Sequence, residues 1–197
     1  MIPVIPRWEW RTFGTTFGDA EKRIRERPAL IQQSRETYVV CNGSDTNAKV
    51  RNLQLDVKVL QEVNRDGLER WLPTFKSPFP LDRRSLEVLF GAWGLALPRL
   101  TRESYSLDGF LSEIVAWHPS LTAVHVGKQR QGFTIDECIV EIAELTFDGA
   151  PLRTIAVEMP DAARVMDTVR SLGLSRYENV NYVKALKRFL TSRAYGT

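Results

Sequence analysis

Basic residues two positions apart recur in this sequence, inside segments that otherwise read as β-strands. In "PRWEWRTFG", alternation puts Trp8, Trp10 and Thr12 on one face and Arg7, Glu9 and Arg11 on the other. In "NAKVRNLQLDVKVL", Lys49 and Arg51 share a parity with Leu53, Leu55, Val57 and Val59. One flat strand would therefore mix charged and apolar side chains on a single face. A bulge or tight turn near Asn52–Leu53 resolves the conflict, leaving Lys49, Arg51, Asp56 and Lys58 on one side and the apolar set on the other. "VHVGKQR" repeats the habit with Lys128 and Arg130.

The plainer reading of these faces is a set of antiparallel strands with solvated outer sides. Against it, Lys and Arg dominate the polar faces, while acids recur singly, as Glu9, Glu141 and Glu158. The strands around the last two are mostly apolar. A barrel with an apolar outside covered by helices and a charged interior accounts for both features. Such an interior would bind a polyanion through charge-assisted and bidentate hydrogen bonds. Carboxylates among those cations make sense if they hold a divalent metal against phosphate oxygens.

The elements that must position these groups follow from the pattern. Strands are expected at Trp8–Phe13, Glu36–Cys41, Asn47–Leu60, Leu121–Gln129, Ile135–Leu145 and Arg153–Glu158, with a turn at "CNGSD" and a hairpin at Asp148–Gly149. Helices are expected in "LDRRSLEVLFGAW" with Asp82 as N-cap, and in "SLDGFLSEIVAW" up to Pro119. Two more are expected, in "DAARVMDTVRSLGL" from Asp161 to Gly173 and in "NYVKALKRFL". The proline- and aromatic-rich "GLERWLPTFKSPFPL" reads as an ordered crossing loop, and "FGTTFG" as a flexible entrance loop without the Lys-Ser/Thr ending of a P-loop. Strand hairpins with helices laid outside make an α+β architecture, expected as one domain over residues 1–197.

Composition supports a globular chain: 197 residues, 43% hydrophobic and 26% charged, with a formal net charge of +3 that decides nothing by itself. Pro3 and Pro6 interrupt the N-terminal apolar stretch, and the longest apolar run, "VLFGAWGLALP", falls short of the ~20 residues a spanning helix needs. A soluble, cytoplasmic protein is expected. Cys41 and Cys138 lack metal-ligand spacing and read as buried free thiols. His118 and His125 have no second His or Cys at ligand spacing, and no glycine-flanked Ser elbow occurs. No nucleic-acid-binding motif accompanies the basic strands, and no membrane partner is expected.

Taken in order, these motifs resemble those of the CYTH-like, or triphosphate tunnel metalloenzyme, superfamily. Its opening Glu-x-Glu-x-Lys would fall on Arg7, Glu9 and Arg11. Its Lys-x-Arg would fall on Lys49 and Arg51, its single lysine on Lys58, and its second basic pair on Lys128 and Arg130. An inward acid falls on Glu141, and the late Glu-x-Glu falls on Ala156 and Glu158. The resemblance implies a closed or nearly closed antiparallel β-barrel, a tunnel with helices packed outside. It further implies Mg²⁺ or Mn²⁺ held by Glu9, Glu141 and Glu158 as the catalytic set. Arg7, Arg11, Lys49, Arg51, Lys58, Lys128 and Arg130 would grip triphosphate, polyphosphate or a nucleoside triphosphate. Arg7, Arg11 and Ala156 depart from the pattern. Two functions therefore compete: a metal-dependent phosphohydrolase, and a binding module that kept the basic tunnel and lost turnover. A homodimer is compatible with either.

Overall fold

Three two-residue turns shape most of the sheet, and each has backbone in the left-handed region. Arg51 faces Gln54 across Asn52 (φ 52°) and Leu53 (φ 54°). Phe147 faces Ala150 across Asp148 (φ 46°) and Gly149 (φ 90°). Asp136 (φ 49°) and Glu137 (φ 66°) separate a third strand pair. Positive φ at both central residues gives a turn whose twist matches that of paired strands. The first of these turns flips the parity of "NAKVRNLQLDVKVL" as the charge pattern requires.

A computed structural model describes residues 5–194. The strands are β1 (Trp8–Gly14), β2 (Leu30–Cys41), β3 (Asn47–Arg51), β4 (Gln54–Val63), β5 (Glu69–Pro78), β6 (Leu81–Asp82), β7 (Ser104–Tyr105), β8 (Leu121–Ile135), β9 (Cys138–Phe147) and β10 (Ala150–Met159). The helices are α1 (Gly18–Arg25), α2 (Arg83–Trp93), α3 (Leu107–Gly109, running on as a π-helical turn over Phe110–Val115), α4 (Ala162–Ser171) and α5 (Tyr182–Ala194). Eight strands close an antiparallel barrel in the order β1-β10-β9-β8-β2-β3-β4-β5, and β6 pairs with β7 separately. Closure is made by β1 on β5, where Trp8 faces Arg70 and Glu9 faces Glu69. The α+β barrel with helices outside is the architecture the sequence implies.

The chain groups into two compact units. One holds the residues up to Ser34, Leu60–Leu72 and Gly127–Asn181; the other holds Arg35–Val59, Pro73–Val126 and the residues from Tyr182 on. In the first, Trp10, Val140, Ile142, Ile155 and Val157 pack with Ile24 of α1 and Val165 and Val169 of α4. The Asp161 carboxylate caps α4 by accepting from the Ala163 and Arg164 amides, and Gly173 (φ 73°) follows its end. In the second unit, Val39, Leu55 and Val57 pack with Leu86, Leu89, Phe90 and Trp93 of α2 and with Phe110. Asp82 caps α2 through the Ser85 amide at 2.8 Å, as its position predicts.

The structure differs from the sequence expectation at several elements. "GLERWLPTFKSPFPL" contains strand β5 rather than only a loop. Pro73 is tolerated because it lies beyond the two residues that pair with β1. "FGTTFG" leads directly into α1, which begins at Gly18 (φ 56°) and buries Ala20 and Ile24 one turn apart. The region Asn47–Leu60 is two strands, and β8 runs six residues past Gln129. Cys41 and Cys138 are buried free thiols. Burial pushes the Cys138 thiol up, against the opposing effect of the Thr168 hydroxyl that donates to it. Pro3 lies outside the described residues. Among the described residues no helix is long and apolar enough to cross a membrane.

Candidate functional site

In the first unit the register of three strands assembles a charged cluster on the face turned away from α1 and α4. Arg11 on β1 faces Ala156 on β10, and Ala156 faces Glu141 on β9. Two residue pairs along, on the same face, Glu9 faces Glu158. Residues paired across an antiparallel ladder share a face, so Arg11, Glu141, Glu9 and Glu158 project together. Ala156 is fully buried between the first two, and its single methyl leaves the Arg11 side chain room to cross it.

The Arg11 guanidinium is the centre of this cluster and is only 5% exposed. Its three nitrogens meet three different carboxylates: Nε lies 2.6 Å from Glu9 Oε1, Nη1 3.3 Å from Glu141 Oε1, and Nη2 3.8 Å from Glu158 Oε1. Nη1 also lies 3.4 Å from Thr154 Oγ1. The backbone beneath is fixed as well. The Arg11 amide donates to Asn179 Oδ1 at 2.9 Å, its carbonyl accepts from the Val180 amide, and Asn179 Nδ2 donates to the Gly67 carbonyl.

Further cations converge on the same acids. Lys128 Nζ donates to Glu141 Oε1 at 2.7 Å, and Arg130 Nη1 lies 3.5 Å from Oε2. Arg7 Nη1 stands 3.9 Å from Glu158. Burial alone would raise the Glu141 carboxyl. The Arg11 and Lys128 charges and their hydrogen bonds overcome that and bring it down to about 2. Glu69, a fourth acid, faces Glu9 from β5; it is buried and accepts from Asn181 Nδ2 at 2.8 and 2.9 Å and from Trp71 Nε1 at 3.2 Å.

The second unit carries a smaller basic set. Lys49 faces Asp56 and Asn47 faces Lys58 across the β3–β4 hairpin, so Lys49, Arg51, Asp56 and Lys58 share the side opposite Val50, Leu55 and Val57. Lys49 Nζ and Arg51 Nη1 both bind Glu36, at 3.2 and 3.5 Å, and the Glu36 side chain is 2% exposed. Lys49 also lies over the Tyr38 ring, which stacks on Tyr182. Asp56 pairs with Lys76 at 3.6 Å, and Lys58 is exposed. Glu36 was not among the expected site residues. Its only sequence signal is a parity shared with Tyr38 and opposed to Val39 and Cys41. His125 Nδ1 contacts Thr37 Oγ1, and His118 Nδ1 accepts from the Ser120 amide.

A divalent metal bound by Glu9, Glu141 and Glu158 would need carboxylate oxygens at about 2.0–2.6 Å on one point. That point is taken by a guanidinium whose nitrogens already address all three acids. Among the described residues no group of three or more His, Cys, Asp or Glu is placed to hold a metal ion. With Arg11 in position, the donor set does not fit one. What the arrangement does offer is several cations converging on shared acids, beside the fourth carboxylate of Glu69. Arg7, Arg11, Lys128 and Arg130 share three carboxylates in one unit, and Lys49 and Arg51 share one in the other.

No family model matches the sequence, and no curated protein does. Solved structures match in fold. The "putative adenylate cyclase" of Bacillus halodurans aligns at a TM-score of 0.50 with 11% identity, over 92% of this chain and 98% of its own. The PH1012 protein of Pyrococcus horikoshii OT3 aligns at 0.48 with 14% identity, over 89% and 97%. HpAC1 from Hippeastrum, described as having a dominant triphosphatase activity, aligns at 0.47 with 8% identity, over 96% of each chain. At these identities the likeness is one of fold.

Proposed function

We propose that this chain, which has the CYTH-like tunnel fold in divergent form, binds a phosphate-chain anion such as triphosphate, polyphosphate or the triphosphate of a nucleotide. The observation that carries the reading is the convergence of several cations on single buried acids. Arg11, Lys128 and Arg130 meet on Glu141, and Lys49 and Arg51 meet on Glu36. Within each set the shared carboxylate offsets one charge, and anionic oxygens of a phosphate complement the remainder of that set. Arg51 and Arg130, whose side chains are each 39% exposed, are the open members of their sets and the proposed first contacts for phosphate.

Metal-dependent hydrolysis of the same anions, the activity the resemblance implies, is the competing reading. One experiment addresses both: calorimetry with triphosphate in chelator, then with Mg²⁺ or Mn²⁺, with phosphate release followed in parallel. Binding in chelator without product is expected. Absence of binding under every condition overturns the proposal, and metal-dependent release with no metal-free binding puts the hydrolase in its place. Arg51→Ala and Arg130→Ala should each remove a charge-assisted bond worth ~1.5–3 kcal/mol, and with it roughly tenfold or more of affinity. Unchanged affinity in either variant removes that residue from the site.

A further inference from the structure

We infer that Arg11 is a built-in cation standing where a divalent metal would otherwise be held, so that Glu9, Glu141 and Glu158 serve to fix a guanidinium rather than an ion. Three features of the first unit support this. The guanidinium presents a different nitrogen to each carboxylate, at 2.6, 3.3 and 3.8 Å, an arrangement that a planar three-nitrogen cation allows and a single ammonium does not. It is 5% exposed and tethered through its own backbone to Asn179 and Val180, so it is not a surface arginine resting on nearby acids. The residue it crosses is Ala156, buried and without functional groups; a carboxylate there would add a fourth acid under the same cation. Ala156 thus adds neither a negative charge nor a metal ligand beside Arg11.

A fixed guanidinium differs from a metal in consequence as well as in kind. It cannot exchange with solvent, it is not removed by chelators, and it does not lose its proton in the physiological range. It donates hydrogen bonds where a metal accepts lone pairs, so it can orient phosphate oxygens but cannot generate a hydroxide from bound water. Arg11 is a positioning residue in this account: it holds three carboxylates that would otherwise repel one another.

This inference goes beyond the proposed ligand and is tested on the protein alone, without any phosphate. Mn²⁺ is titrated into wild type, Arg11→Gln, Arg11→Lys, Glu158→Gln and Arg11→Gln/Glu158→Gln, with free Mn²⁺ read by its electron paramagnetic resonance signal and the melting temperature recorded at each step. Wild type is expected to leave Mn²⁺ free up to about 1 mM, beyond the affinity of most functional divalent sites. Arg11→Gln should gain an Mn²⁺ site at least tenfold tighter, with a melting temperature that rises on metal addition. Adding Glu158→Gln should remove that gain, and Arg11→Lys, which keeps the charge but cannot present a separate nitrogen to each acid, should fall between wild type and Arg11→Gln. Should Arg11→Gln fail to fold without metal but fold in Mn²⁺, the inference is likewise supported. Tight Mn²⁺ binding to wild type, abolished by Glu158→Gln, overturns it. A folded Arg11→Gln that binds no Mn²⁺, or an Arg11→Gln that folds neither with metal nor without it, overturns it equally. Failure of triphosphate to bind would leave all of these outcomes readable.

Discussion

Glu141 is the acid on which Arg11, Lys128 and Arg130 converge. Its carboxyl sits at about 2 in the fold against an ordinary 4.5, so folding favours the ionised form. The stability this provides is fully present above pH 4.5, declines as the pH falls, and is lost once it passes about 2. The expected outcome is a urea midpoint that drops between pH 6 and pH 3 in wild type and drops much less in Glu141→Gln. At pH 6 that substitution should cost roughly 3–5 kcal/mol, the cost of leaving a buried charge without its partner. A flat wild-type profile would contradict the buried pairing. Glu141 was readable in the sequence as the inward acid of a mostly apolar strand. Glu36, which plays a similar part for Lys49 and Arg51, was not. A single carboxylate in "SRETYVV" looks like any solvated strand residue until the pairing of Tyr38 with Lys49 sets it beside its cations. Ala156 was readable only as a missing acid. Its use, as the small residue that a guanidinium crosses, depends on what faces it across two ladders.

The β3–β4 hairpin shows what decided legibility among the elements. The charge pattern alone required a reversal of parity at Asn52–Leu53, and the reversal is there as a two-residue turn. The corresponding turn at Asp136–Glu137 gave no such sign, because neither residue is glycine and no charge pattern breaks across it. Strand β5 was hidden by its prolines, and α1 by its brevity. Leu53 is an unfavourable residue for its place: a side chain at φ 54° is strained, and at 63% exposed it recovers little by packing. Leu53→Gly should therefore stabilise the protein by about 0.5–1 kcal/mol, the relief of strain exceeding the added freedom of the unfolded chain. Chemical denaturation reads this directly, and a destabilised variant would mean that Leu53 makes an apolar contact of real weight. Because the turn also sets the face on which Lys49 and Arg51 project, Leu53→Gly should leave triphosphate affinity unchanged while raising stability.

Barrel closure follows from many weak signals rather than one strong one. Alternating charge marked inner faces on β1, β3, β4 and β8, and apolar parity marked the helix-covered faces, but nothing in the sequence named β5 as the strand that meets β1. The whole molecule bears only +3 on 197 residues, so long-range attraction of an anion is weak and affinity must come from local contacts. This separates two kinds of basic protein by their response to salt. Where cations lie on an open surface, they are screened over ~8 Å at physiological ionic strength and binding collapses as salt rises. Lys49, Arg11 and Lys128 are instead largely shielded, at 19, 6 and 10% side-chain exposure, and each is already oriented by a carboxylate. Contacts of Lys49 and of Lys128 with phosphate, the latter beside the Arg11 charge, should be screened much less. Affinity for triphosphate is therefore expected to weaken with added salt but persist, and to exceed that for orthophosphate at every salt concentration, since each further phosphate adds charge-assisted bonds. Calorimetry across a salt series with ortho-, pyro- and triphosphate measures both trends. Equal affinity along the series would mean that the basic groups do not act as phosphate-chain ligands. Binding that vanishes at moderate salt would place the anion on exposed arginines alone, Arg7 and Arg130 in the first unit or Arg51 in the second, and leave the buried cations with a purely structural part.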